Sequence, residues 1–219
     1  MLKQKENLKG WRRAFTLVEL MIVIAIIGII ISMSVVTYGH LTRKAQQARA
    51  RELVSNVATA LSTLYLRDNR WPPKLLNEAR GNGLLTAEAA ACLAVRGLMS
   101  LTYTTREKDG EKIYTLSGLD RCGIVSPWAT EVLKRGGSDN ANVPSGGTIQ
   151  SHLLRFALDE DGDGITEVRL GSETSLKVRA TAVVWSWGMN GKDDGYNDSM
   201  NGRGKADDIY SWTKAQEVR

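Results

Sequence analysis

Residues 17–36 are almost unbroken Leu, Met, Ile, Val and Ala, interrupted by Glu19, Gly28, Ser32 and Ser34. About 20 residues in a helix rise roughly 30 Å, the thickness of a bilayer's hydrocarbon core. Residues 37–66 then contain no Pro and a single Gly, and their apolar positions (Leu41, Ala45, Ala48, Leu53/Val54, Val57/Ala58, Leu61, Leu64/Tyr65) recur every three or four residues. That stripe predicts an amphipathic helix continuing the apolar one. Asp68-Asn69-Arg70 followed by Trp71-Pro72-Pro73 ends it, because proline lacks an amide donor and restricts its predecessor. Further on, Thr86-Ala87-Glu88 opens a short helix to Val95, and alternation around Asp109-Gly110 predicts a hairpin from 101–103 to 113–116. Residues 117–147 read as loop, 153–158 and 165–170 as two strands around a turn, and 180–187 as a further strand. The expected class is α+β: one long N-terminal helix packed on a small antiparallel sheet. The expected segments are a leader at 1–14, an apolar helix at 15–36, its amphipathic continuation at 37–68 and a globular domain at 69–219.

Charge sharpens the N-terminal half of this picture. The chain of 219 residues carries a formal charge of +5 and a pI near 9.2. Much of the excess lies in residues 1–14, where Lys3, Lys5, Lys9, Arg12 and Arg13 face only Glu6. The basic character is therefore mostly a targeting signal, and no nucleic-acid partner is expected. Basic residues just before an apolar span favour a cytoplasmic N-terminus, with the remainder exported. An ordinary secretory signal would have a shorter apolar region and a small-residue cleavage site after it, neither of which is present in good form. Arg12-Arg13 also permits a twin-arginine reading, against which the long apolar continuation argues. In an oxidising compartment Cys92 and Cys122 are a candidate disulfide; two buried thiols are the alternative, since spacing alone cannot place their Cα atoms.

Glu19 is the residue that a plain anchor does not explain. A carboxylate within an apolar span costs about 2.5–3.5 kcal/mol at the helix centre, so it requires a cationic or donor partner. The run Ala14-Phe15-Thr16-Leu17-Val18-Glu19, after a basic leader and before the apolar helix, resembles the N-terminus of type IV pilins and type II secretion pseudopilins. Those read Gly, then Phe-Thr-Leu-[Ile/Val]-Glu; here Ala14 stands where the family usually has Gly. The resemblance implies a pilin-like fold, cleavage between Ala14 and Phe15 by a prepilin peptidase, and N-methylation of Phe15. It further implies pairing of Glu19 with the new amine of a neighbouring subunit. It also implies self-assembly into a filament, with an inner-membrane assembly platform and minor pseudopilins as partners. The location implied is the bacterial inner membrane, single-pass, with the globular domain periplasmic.

Two acidic stretches carry candidate metal chemistry. Asp159-Glu160-Asp161-Gly162-Asp163-Gly164 opens like a calcium loop but has Leu170 where the bidentate acid belongs, leaving a hairpin turn or a weak, partial metal site. In the second stretch, Asn190, Asp193, Asp194, Asp198, Asp207 and Asp208 supply hard oxygens on a Gly-rich loop without thiolates or imidazoles. That donor set suits calcium, although Asn, Asp and Gly are also the residues of a solvated loop. The major pseudopilin ends in a similar aromatic-Ser-x-Gly stretch, acidic loop and Asp-Asp-Ile before a Trp. The resemblance carries the ligand role onto Asn190, Asp207 and Asp208, with Asp193, Asp194 or Asp198 as substitutes; the expected set is Asn190, Asp193, Asp207 and Asp208.

No nucleophile motif accompanies His40 or His152, so an enzyme is not expected. The expected function is a structural subunit of a type II secretion pseudopilus driving protein export. The alternatives are a type IV pilin for adhesion, motility or DNA uptake, and a membrane-tethered module whose Trp185, Trp187 and Trp212 would stack on sugar or else pack as core.

Overall fold

The computed structural model describes residues 16–108, 111–116, 123–134, 147–170, 174–196 and 207–218, excepting the side chains of 33–37, 40, 108, 111–115, 131, 134 and 174. The chain divides into two compact units, Met1–Lys44 and Ala45–Arg219. Helix α1, Leu17–Asp68, runs through both.

In the first unit the apolar side chains are outward. Leu17, Met21, Ile24, Ile26 and Ile30 are all at least half exposed, as a surface awaiting lipid or protein would be. Among the described residues no helix is long and apolar enough to cross a membrane. The described apolar side chains end at Ser32, short of the roughly 20 residues that a span needs, although the apolar sequence continues to Val36.

In the second unit α1 becomes one wall of a core. Ala50, Val54, Val57, Ala60, Leu61 and Leu64 are buried at three- and four-residue spacing, as the stripe predicts. The helix stops at Asn69, whose φ of 48° is the left-handed conformation that Asn tolerates and whose amide donates to Tyr65 O at 2.7 Å. Trp71 then folds back on Tyr65, with ring centroids 4.9 Å apart, and donates its indole N–H to Asp159 O. Pro73 opens α2 (Pro73–Arg80), where a missing amide is harmless. Helix α3 (Ala87–Val95) follows, capped by Thr86, whose hydroxyl accepts from Ala89 N at 3.3 Å. Leu61 has no exposed surface and sits at the centre of this core. Leu61→Ala is expected to cost about 2–5 kcal/mol of stability, read from the urea midpoint of the wild type and the variant.

The strands form three antiparallel pieces: β1 (Tyr103–Lys108) with β2 (Glu111–Leu116), β4 (Ile165–Leu170) with β5 (Thr174–Arg179), and β3 (Arg155–Leu158), β6 (Ala182–Ser186) and β7 (Ile209–Tyr210) in the order β3-β6-β7. The expected hairpin between 153–158 and 165–170 does not form. Strand β3 pairs instead with β6, and β4 turns back on β5, a strand that the reading of the sequence leaves out. The turn after β4 lies outside the described residues, and the polar Thr174–Arg179 carries little hydrophobic signal. A short helix α4 (Thr130–Lys134) sits in the stretch expected to be loop. Because period two places neighbouring positions on opposite faces, β6 serves two cores. Ala182 and Val184 face the α1 core, while Val183 and Trp185 join Val168, Val178, Tyr196 and Trp212 in a second one.

The first acidic loop closes between β3 and β4. Asp159 is buried and its two carboxylate oxygens accept from Gly162 N at 2.7 Å and Gly164 N at 2.8 Å, both glycines at positive φ. Asp159, Asp161 and Asp163 bring a carboxylate oxygen each within 4.8 Å, but the latter two are exposed.

Candidate functional site

The N-terminal motif and the C-terminal acidic loop belong to different units, and each has its own local logic. Thr16 and Glu19 form a reciprocal cap on α1. Glu19 Oε2 accepts from Thr16 N and from Thr16 Oγ1, both at 2.9 Å, and Thr16 Oγ1 accepts from Glu19 N at 3.2 Å. Two otherwise orphaned amides at the helix start are thereby satisfied. The sequence analysis looks for a partner of Glu19 in a neighbouring subunit; within the chain the acid also caps its own helix, three residues being the span of a capping box. Ala14 and Phe15 lie outside the described residues.

The second site is built where β6 runs out. After Ser186 the chain turns through Trp187 and Gly188, and Gly191 N donates to Trp187 O at 3.0 Å. Gly188 has a φ of 47°, and a Cβ there would collide with the Asp207 carboxylate. Glycine at this position lets the turn lie directly on the acid. Gly188→Ala is therefore expected to disrupt the loop by more than its ordinary helix or turn preference, visible as faster amide exchange over 188–196.

Three carboxylates converge beneath the turn. Asp194, Asp207 and Asp208 each place an oxygen within 4.8 Å of the others. Backbone amides hold part of the trio: Met189 N donates to Asp207 Oδ2 at 2.7 Å, Asp194 N to Asp208 Oδ2 at 3.1 Å and Asp207 N to Asp194 Oδ2 at 3.1 Å. Tyr210 Oη donates to Asp208 Oδ2 at 3.2 Å. The other oxygens of two acids, Asp207 Oδ1 and Asp208 Oδ1, are buried without a hydrogen-bond partner. A buried carboxylate oxygen left bare costs about 1–3 kcal/mol or more, so the pair marks a place that a cation would satisfy.

The remaining expected ligands lie beside this trio. Asn190 donates through Nδ2 to Asp194 Oδ1 and Oδ2 at 2.8 and 2.9 Å, and its Oδ1 accepts from Lys192 N at 2.7 Å. Asp193 Oδ1 accepts from Gly195 N at 3.0 Å. Both are engaged in turns closed by their own side chains. Asp198 lies outside the described residues. Asp194, a substitute in the sequence reading, is brought into the cluster because its amide and side chain bracket the start of β7.

Electrostatics follow from the burial. Burial, with Asp194 close by, pushes Asp208 up to about 7 and Asp207 up to about 6. A carboxyl raised in the folded state binds its proton more tightly there than when unfolded. Its contribution is therefore fully present below the ordinary carboxyl value of 3.8 and is lost as pH rises up to and through 6–7. The melting temperature without added cation is expected to fall between pH 5 and pH 7.5, and a saturating divalent cation to flatten that slope.

Sequence reasoning overlooks Arg155. Its residue is 8% exposed and its guanidinium carbon lies 3.1 Å above the Trp187 ring centroid, a cation–π contact. Burial lowers it to about 10, opposed by Asp193 and Asp208, so it remains charged at neutral pH. The signal for it is an Arg set among Leu153, Leu154 and Phe156. Trp185 and Trp212 are 5% and 3% exposed and meet edge to face at 6.2 Å, which makes them core rather than a sugar platform. His152 is buried, hydrogen-bonded to Ser126 Oγ at 3.1 Å, beneath Gly191. Cys92 on α3 is half-buried, and burial raises its thiol above its ordinary value; Cys122 lies outside the described residues.

Known proteins bear on the N-terminal unit above all. Residues 12–35 match the family described as the prokaryotic N-terminal methylation motif. The chain is 39% identical over 61 residues to the type IV major pilin protein PilE1 of Neisseria gonorrhoeae, covering 28% of this chain and 37% of that one. A fimbrial protein of Neisseria meningitidis serogroup B is 39% identical over the same length, covering 28% of this chain and 36% of the relative. The chain thus spans little more than a third of these neisserial relatives. It is 30% identical over 118 residues to the type IV major fimbrial protein FimA of Dichelobacter nodosus, which covers 51% of this chain and 75% of that protein. No solved structure matches. With the processing motif, the long helix, the antiparallel sheets and a match over three quarters of one fimbrial protein, this chain belongs to the type IV pilin and pseudopilin family.

Proposed function

We propose that the chain is a structural subunit of a type IV filament and, within that class, a subunit of a type II secretion pseudopilus whose C-terminal loop takes calcium. The filament reading rests on the processing motif and on the apolar face of α1, exposed in the single chain and suited to lipid or sister helices. The secretion reading is supported by one observation above others: Asp207 Oδ1 and Asp208 Oδ1, buried and bare, beside Asp194 in a hard-oxygen cluster. Asp194, Asp207 and Asp208 would hold the ion, with Asn190 and Asp193 near enough in sequence to join. Calcium would supply positive charge that binds the turn after β6 to the start of β7. The chain's own groups orient the acids, through Met189 N, Asp194 N, Asp207 N and Tyr210 Oη.

On this reading the peptide bond between Ala14 and Phe15 is cut by prepilin peptidase and Phe15 is methylated. The subunit waits in the inner membrane with its globular unit periplasmic, and an assembly platform with minor pseudopilins draws it into a filament. No catalytic step belongs to it. A surface type IV pilus for adhesion, motility or DNA uptake is the second reading, favoured by the relatives, which are major pilins and fimbrial proteins. Deleting the gene separates the two. Loss of exoprotein secretion with surface fibres intact supports the pseudopilus; loss of surface fibres with secretion intact supports the pilus.

A further inference from the structure

Arg155, Trp185, Trp187, Asp208 and Tyr210 lie on one face of the β3-β6-β7 sheet. Arg155 is paired with Trp185, and Trp185 with Tyr210. Cross-strand partners share a face, and residues two apart along a strand return to it. Trp187 and Asp208, each one step of two beyond that row, therefore continue the same face toward the acidic loop. The guanidinium is fixed there by its seat on Trp187 and by Nη1 donating to Leu153 O at 3.4 Å and Ser151 O at 3.5 Å. Its buried positive charge acts on Asp208, whose Oδ1 is bare and which shares a carboxylate cluster with Asp194 and Asp207.

We propose that Arg155 is a built-in counter-charge of the Asp194–Asp207–Asp208 site, holding the loop closed before the cation arrives and setting how tightly the cation then binds. The inference rests on the calcium reading above. Three ionised carboxylates confined within a few ångströms repel one another, and repulsion is strongest where water is excluded. A fixed guanidinium offsets part of that repulsion in the empty site. The same charge opposes an incoming divalent cation, so affinity is held below what three carboxylates alone would give. Asp193 also faces the guanidinium and favours its charged form. Arginine suits the role because it stays charged when buried and its plane stacks on an aromatic ring.

The sign of the effect distinguishes this role from packing. Arg155→Met and Arg155→Gln remove the charge, and Arg155→Lys keeps it while losing the planar stack. In the full chain in a non-ionic detergent, calorimetric titration with CaCl₂ is expected to give about five- to tenfold tighter binding for the two neutral variants. The Lys variant should stay within about twofold of the wild type. The melting temperature without calcium should fall in the neutral variants, so that their gain on adding calcium is larger than the wild type's. A residue that merely supports the loop would give the opposite order, with calcium bound more weakly by every variant, and that result overturns the proposal. So does an unchanged affinity, or failure of both neutral variants to fold even at saturating calcium. If the wild type itself takes up no calcium, the calcium reading falls first, and the inference falls with it for that separate reason.

Discussion

Asp208→Asn is expected to erase the response of this protein to calcium while leaving the metal-free fold intact or slightly firmer. The wild type at a hundredfold excess of free calcium over its Kd gains about 2.7 kcal/mol, which for a unit of this size moves the melting temperature by about 5–10 °C. Asn keeps the shape and one oxygen but removes the charge at the most buried of the three acids, 9% exposed. The same change abolishes the penalty of ionising a carboxyl held near 7, so the variant without calcium should lose less stability between pH 5 and pH 7.5 than the wild type does. Scanning calorimetry at both pH values, with calcium and with a chelator, reads all four quantities. A calcium-induced rise as large in the variant as in the wild type would remove Asp208 from the site.

Glu19→Ala is expected to abolish filament assembly, to below about a tenth of the wild-type yield, while processing and membrane insertion continue. Insertion should improve slightly, since the apolar run loses an acid that costs about 2.5–3.5 kcal/mol at a helix centre. Thr16 loses its reciprocal acceptor as well, so the first turn of α1 frays by a cap's worth, about 1 kcal/mol. Thr16→Ala separates the two contributions. It breaks the cap but keeps the acid, and filaments should persist at reduced yield. Equal loss in both variants would assign the role to helix capping alone. Sheared filament preparations, quantified against total subunit, give the answer.

The parts of the fold that the sequence discloses are those with a strong local period. The stripe from Ala50 to Leu64, the stop at Asp68 and the Thr86 cap all depend on residues within a turn of one another, and all lie where the pattern puts them. The sheet is different. Whether 153–158 pairs with 165–170 or with 182–186 depends on residues far apart in sequence, and alternation specifies a face but no partner. The polar strand β5 has almost no apolar signal, since among its described side chains only Leu176 and Val178 reach a core. At the N-terminus the motif is plain in the sequence, and the Thr16–Glu19 cap follows from their three-residue spacing at a helix start. At the acidic loop the surplus of oxygens is legible in the sequence. That Asp194 lies with Asp207 and Asp208 while Asp193 accepts from Gly195 N is not, because the path of an irregular loop has no period to read. Arg155 stands out in the sequence as an Arg among apolar residues, but its neighbours follow only from register, which pairs it with Trp185 and Trp185 with Tyr210.

The outward apolar side chains of α1 between Leu17 and Ile31 have a thermodynamic consequence for turnover. Lipid tails and the flanks of sister helices are nearly equivalent solvents for Leu and Ile, so moving this surface from one to the other changes its hydrophobic free energy little. In the filament proposed above, growth from a membrane pool would be close to balanced in its largest single term. Small polar contributions and external work set the direction. A fibre of that kind would be dismantled as readily as it is built, its subunits passing back into the bilayer at little hydrophobic cost.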